Sequence, residues 1–227
     1  MKYLFSFIIG SILGSFLLCM CTSKNIFSRS KCDHCDHVLK IYDLIPVLSY
    51  LMLKGRCRYC KNKLDRTYLL SELIMSLLSV LLVSKYDLSI NYLVSLSFVS
   101  ILFCICIIDI KTYTIPLILN ILIVIIRIFL YDISFHDVLI ASISSGYVLL
   151  ISIILSYINK TEMMGLGDIK LLFSLGLYYN LITNIICILI ASFSALIYSL
   201  FKKDKKIIAF GPFICISYLI MIVFRRN

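Results

Sequence analysis

The sequence predicts an all-α polytopic membrane protein of about eight transmembrane helices, with a small cytosolic cysteine module between the first and second. Composition is the first reason. Of 227 residues, 61% are hydrophobic and only 15% charged, with a mean hydropathy of +1.03. Soluble domains run near 45–50% apolar and about 25% charged. A cytosolic enzyme, a disordered chain and a secreted disulfide knot are therefore excluded. The second reason is that the apolar residues form runs of about span length. The third is charge placement. The net charge is +10, and the basic residues cluster in a few short segments, as in the cytoplasmic loops of membrane proteins. No stretch alternates aromatic and basic residues on a solvated face, so the basic excess does not point to nucleic acid.

The first apolar run covers 3–20. It ends Leu17-Leu18-Cys19-Met20-Cys21 with no small-x-small cleavage site, so it reads as an uncleaved span. A polar segment from 22 to 66 follows, the one place for a folded module outside the bilayer. Further runs lie near 67–84, 91–108, 115–131 and 137–158, then a compact run at 169–178, then 181–201 and 207–224. None alternates with period two, and backbone groups in lipid must bond internally, so these are helices and not barrel strands. Eight spans result if the compact run crosses, seven if it does not. The expected domains are the first helix (1–21), the module (22–66) and a helical core (67–227). With the N-terminus outside, the 22–66 segment, Lys111, the 159–170 region and the 202–206 loop fall in the cytosol with most of the Lys and Arg. Arg225 and Arg226 fall outside and would anchor the last helix in the headgroups.

Ten cysteines are present, and four form two Cys-x-x-Cys pairs, Cys32/Cys35 and Cys57/Cys60, with 21 residues between the pairs. That pattern fits a tetrahedral zinc site of four thiolates. Lys31, Arg56 and Arg58 would ease thiol deprotonation. A redox pair or unligated thiols are the alternatives, but the βαβ pattern of a thioredoxin-like protein is absent. About 45 residues bury little core, so a metal staple has a physical purpose there. His34 and His37 could substitute as ligands, but they read first as solvated loop residues or supporting donors. Cys19, Cys21, Cys104, Cys106, Cys187 and Cys215 lie in or beside spans and read as small packing residues.

Carboxylates in or at the edge of a span are costly and usually functional. Asp109 closes the third run, and Asp168 opens the compact one within Met164-Gly165-Leu166-Gly167-Asp168-Ile169-Lys170. The expected topology puts both at similar cytosolic depth. Two adjacent carboxyl groups can share a proton, one taking a proton from water and the other returning one to a departing amine. Gly165 and Gly167 would permit a tight turn and a close approach to an extended substrate. The alternative is that each Asp merely caps a helix or snorkels, with Asp168 as the N-cap of the run from Ile169. Glu72, a turn inside its run, is either a supporting carboxylate or a snorkelling one.

These pieces in order resemble the type IV prepilin leader peptidases, members of the Gly-x-Gly-Asp class of membrane aspartic proteases. The resemblance is carried by Gly14-Ser15-Phe16-Leu17, the two cysteine pairs, Ile45-Pro46-Val47-Leu48-Ser49-Tyr50 and Gly55-Arg56-Cys57. It continues with Ser71-Glu72-Leu73, Ile108-Asp109 followed by Pro116, the stretch from Gly165 to Leu172 including Lys170, and Phe210-Gly211-Pro212-Phe213. It implies an aspartic endopeptidase of the cytoplasmic membrane. Such an enzyme removes the basic leader of prepilin or pseudopilin precursors after a Gly, with Asp109 and Asp168 as the catalytic pair. It also implies N-methylation of the new N-terminus with S-adenosylmethionine. The small size and plain cytosolic loop resemble the versions that process competence pseudopilins. The chain departs from the family pattern at Leu18, Leu117 and Met163. A presenilin-like protease would carry Pro-Ala-Leu where Phe210-Gly211-Pro212 stands. A proton- or metal-coupled transporter would show inverted repeats. A metal-sensing membrane protein would leave the two Asp unexplained.

Overall fold

The computed structural model describes residues 1–22, 31–32, 34–130, 133–160, 164–201 and 208–224. The 202–206 loop, Met163, Arg225 and Arg226 lie outside them. Nine α-helices follow one another among the described residues: α1 Lys2–Thr22, α2 Leu48–Met52, α3 Arg66–Tyr86, α4 Ile90–Thr112, α5 Leu117–Leu130, α6 Phe135–Asn159, α7 Leu166–Gly176, α8 Leu181–Phe201 and α9 Gly211–Phe224. Eight coincide with the apolar runs, and α2 lies in the cysteine module. The chain is an all-α, multi-pass membrane protein. Five helices (α1, α3, α4, α6 and α8) are long and apolar enough to cross a bilayer. Helices α5 and α9 have 14 residues each and α7 has 11. At about 1.5 Å per residue, α7 rises about 16 Å, roughly half of a hydrocarbon core.

Local sequence sets the helix ends. Asp65 caps α3 by accepting the Thr67 N–H at 2.9 Å. Pro116 precedes α5 and Pro212 is the second residue of α9, where a missing N–H costs nothing. Ser134 and Asp137 form a capping box on α6. Lys160, left-handed at φ 53°, ends it.

Two compact units form, Met1–Ser100 and Ile101–Asn227. In the first, α1 packs on α3 at backbone contact. A Cβ on Gly10 would lie 2.5 Å from the Met75 carbonyl oxygen, and one on Gly14 would lie 2.5 Å from that of Ser71. Small residues four apart permit this approach where lipid offers no hydrophobic drive between helices. Ser6, Ser79 and Tyr92 close a buried hydroxyl cluster, with Ser6–Ser79 at 2.7 Å and Ser79–Tyr92 at 2.8 Å. In the second unit, the short α7 packs against α5, α6 and α9. Asn184 of α8 donates to the Gly176 carbonyl at 3.0 Å and accepts from the Tyr218 hydroxyl of α9 at 3.0 Å. Arg127 is buried and donates to the Leu177 carbonyl at 2.9 Å and to Asp137 at 3.2 Å. Buried serines beside exposed Leu, Ile and Phe give the polarity expected when lipid is the solvent.

Candidate active site and metal centre

Asp109 lies in the last turn of α4. The helix stops there because Tyr113 turns left-handed (φ 54°) and returns its N–H to the Asp109 carbonyl at 2.9 Å. The side chain is buried, and its Oδ2 accepts the Gly211 N–H at 2.9 Å. Gly211 opens α9, so this N–H has no partner within its own helix and carries the positive end of the helix dipole. A Cβ at 211 would sit 2.7 Å from Asp109 Oδ2 and 3.1 Å from Cγ. Only glycine admits the carboxylate at this range.

Asp168 is the third residue of α7, not its N-cap. Gly165 holds the cap position without a side chain to contribute, and the Asp168 carboxylate reaches back to the Gly165 N–H. This is one half of a capping box. The Oδ1 atom of Asp168 is buried with no hydrogen-bond partner. Asp168 thus caps its helix with one oxygen and keeps the other free.

Two observations link the surroundings of the two carboxylates. Asp109 and Asp168 interact electrostatically. One side chain, Ile115, abuts both surroundings: a Cβ at Gly167 would lie 3.3 Å from Ile115 Cβ, and one at Gly211 would lie 3.3 Å from Ile115 Cδ1. The residue before Asp168 and the residue bonding Asp109 therefore share a neighbour. Where two carboxyls approach closely, they titrate as a unit and favour a state with one shared proton. Such a pair can take a proton from water and return one to a leaving amine.

Neither glycine of the loop uses a left-handed backbone. Gly165 is extended (φ −71°, ψ 143°), and Gly167 serves its close contact with Ile115. Lys170 is exposed on α7. Cys106 and Cys215, read from the sequence as packing residues, hydrogen-bond each other, and Cys215 lies within electrostatic range of both Asp. Their neighbourhood to the carboxylates had no signal in the sequence, because a thiol in an apolar run looks like any small hydrophobe. Glu72 belongs to the first unit. It is 7% exposed and does not snorkel: Oε2 accepts the Val47 N–H at 2.7 Å. Val47 sits at φ 63°, ψ −52°, and Leu48 N–H returns to the Pro46 carbonyl at 2.6 Å. This strained γ-turn is thereby tied to α3.

The four paired cysteines form one cluster. Their sulfurs lie within 4.8 Å of one another, with Cys32 and Cys60 3.9 Å apart. A tetrahedral ion with metal–sulfur bonds of about 2.3 Å needs sulfurs about 3.8 Å apart, so the set fits and could hold a metal ion. Two copies of one backbone device build it. Cys32 N–H bonds the His37 carbonyl at 3.0 Å, and Asp36 N–H returns to Cys32 at 3.0 Å. Likewise Cys57 N–H bonds Asn62 at 2.9 Å, and Lys61 N–H returns to Cys57 at 3.0 Å. Asp36 and Lys61 are both left-handed, at φ 53° and 61°. Single antiparallel bridges, Lys31 to Val38 and Arg56 to Lys63, close the two loops. Burial opposes ionisation of Cys57, but the Cys60 and Tyr59 N–H groups and the Cys32 and Cys60 thiols outweigh it and hold Cys57 at about 7. The His37 N–H favours a Cys35 thiolate, yet burial and the neighbouring sulfurs push that thiol up to about 12. Thiols so crowded cannot all ionise unless a cation joins them. His37 is not among the ligands and stacks on Tyr59 at 3.7 Å. Burial raises the Asp43 carboxyl, but bonds from Arg58 (2.7 Å), Lys40 N–H and Tyr59 outweigh it and hold it below its usual range. They join the second loop to the 3₁₀ turn Ile41–Asp43.

Residues 4–86 match the bacterial peptidase A24 N-terminal domain, and residues 96–200 match the type IV leader peptidase family. A prepilin leader peptidase/N-methyltransferase of Dichelobacter nodosus is 32% identical over 199 residues, covering 83% of this chain and 68% of that protein. One from Vibrio cholerae is 30% identical and covers 86% of this chain and 80% of its own. Another from Legionella pneumophila is 30% identical, with 86% and 72% covered. No solved structure matches.

Proposed function

The chain belongs to the type IV leader peptidase family, and from that premise we propose that it is a membrane aspartic endopeptidase. Its substrates are prepilin or pseudopilin precursors, including those of competence systems. It cuts their basic leader after a Gly at the cytosolic membrane face. Asp109 and Asp168 form the catalytic dyad. The free Oδ1 makes Asp168 the group that takes the proton from water, and Asp109 returns one to the leaving amine. Gly165, Gly167 and Lys170 form the active-site loop, and Glu72 supports the cytosolic face. The single observation that supports this reading is that Ile115 abuts both Gly167, beside Asp168, and Gly211, which bonds Asp109. The bilayer adds proximity, since the substrate's apolar helix lies in it and its leader stays outside.

Cys32, Cys35, Cys57 and Cys60 hold a structural zinc ion, supported by their mutual distances. The module of 22–66 and the helical core of 67–227 are the working parts, with the N-terminus outside. The names of the relatives support N-methylation of the product, for which S-adenosylmethionine would supply the methyl group.

Co-expression with a prepilin tests the reading. Asp109→Asn and Asp168→Asn should each insert normally and leave the precursor uncut, seen as an unchanged size. The N-terminal mass of the wild-type product reports methylation separately. Processing at a normal rate by either variant would refute the dyad.

A further inference from the structure

Helix α5 is apolar except for Asn120 and Arg127. Both are buried, at 5% and 8% exposure, with fully buried Ile123 between them. Spacings of three and four put them on one stripe, and that stripe faces α7. Arg127 Nε donates to the Leu177 carbonyl at 2.9 Å, and the Tyr178 hydroxyl donates to the Ile123 carbonyl at 2.6 Å. At the other end of the contact, Ile115 packs on Gly167. The two helices therefore run side by side in one direction, pinned at both ends.

Asn120 lies between the pins, and neither its Oδ1 nor its Nδ2 has a hydrogen-bond partner. A buried amide in that condition is costly, and native structures keep one where something outside the fold satisfies it. Among the described residues, one further buried side-chain atom shares that condition, Oδ1 of Asp168. Helical side chains lean toward their own N-terminus. The Asn120 amide thus leans along α5 toward the level of the first turn of α7, which carries Asp168. The unmatched atoms are two acceptors and one donor group. One water matches them. It would donate to Asn120 Oδ1 and Asp168 Oδ1, accept from Nδ2, and keep a lone pair.

We propose that Asn120 is a positioning residue that holds, with Asp168, the water that attacks the scissile carbonyl. This rests on the catalytic reading of Asp168. The water oxygen bonds to the carbonyl carbon as one of its protons passes to Asp168. The C–N bond then breaks, and the amine leaves with the proton held on Asp109. Asn120 exchanges no proton; its amide fixes where the oxygen starts.

The test is steady-state kinetics of the purified full-length enzyme in lipid vesicles, with a synthetic prepilin peptide that retains its apolar helix. Asn120→Leu should lower kcat about 100-fold with KM held within about twofold. Its Tm should not fall, because the Asn120 amide bonds no protein group whose loss would loosen the fold. Asn120→Ser, which keeps a donor and an acceptor, should recover most of the rate. If Asn120→Leu does not insert, Asn120→Ala carries the same expectation for kcat. An unchanged kcat overturns the proposal. So does a raised KM at normal kcat, which would make Asn120 a contact for the substrate backbone. A fall in both kcat and Tm without rescue by Ser also overturns it, since the role would then be structural. Asp168→Asn is measured in parallel. If that variant cleaves, the dyad reading has failed. If it is inert while Asn120→Leu is normal, only the water-holding role has failed.

Discussion

One backbone N–H decides where the Asp109 carboxylate can sit. It comes from Gly211, and the 2.7 Å that a Cβ there would leave to Oδ2 is below any tolerable contact. Gly211→Ala should therefore push the carboxylate off its donor and misplace it relative to Asp168. Displacements of about 1 Å at a reacting group cost on the order of 100-fold in rate. We expect cleavage of a co-expressed prepilin to fall by about that factor while membrane insertion is unaltered. Full activity in that variant would show that Asp109 needs no such support. Asp109 and Asp168 stood out in the sequence because a charge in an apolar run is visible from its neighbours alone. Cys106, Cys215 and Asn120 did not, since each is compatible with a packed helix and its significance comes from what lies across the contact.

At the level of elements, the cysteine module is two like loops facing each other. The Cys-x-x-Cys spacing made the loops legible. Their shared left-handed turn did not show, because Asp36 and Lys61 stand where glycine would have announced it. Replacing one ligand by Cys32→Ser should reduce bound zinc, read by atomic absorption, from a full complement to near zero. It should also open the module to protease, since a segment this small has little other core. Cleavage by the Asp pair should suffer less than the fold of the module. Zinc retained at the wild-type level would remove the four cysteines as its ligands. The compact α7 illustrates the same division. Its brevity was visible between the Gly-rich turn and Asn180, but its central place among α5, α6 and α9 was not.

For the whole molecule, lipid is the dominant solvent, and charge placement sets orientation. The basic 22–66 segment should face the cytosol. Trypsin should cut between α1 and α3 in inside-out vesicles and leave intact spheroplasts untouched. Cutting in spheroplasts would invert the topology and place the module on the wrong side for a leader that stays in the cytosol. By itself the sequence determined the helical class, the apolar runs, the four paired cysteines that could hold a metal ion and the two carboxylates at the edges of apolar runs. Each of these follows from local composition, because every backbone group in lipid must be satisfied within its own segment. Tertiary structure alone decided that Gly167, beside Asp168, and Gly211, which bonds Asp109, share Ile115 as a neighbour, and that Asn120 faces α7 with its amide unmatched. Those contacts join positions far apart in the chain, and they depend on how helix faces dock, which no local periodicity encodes.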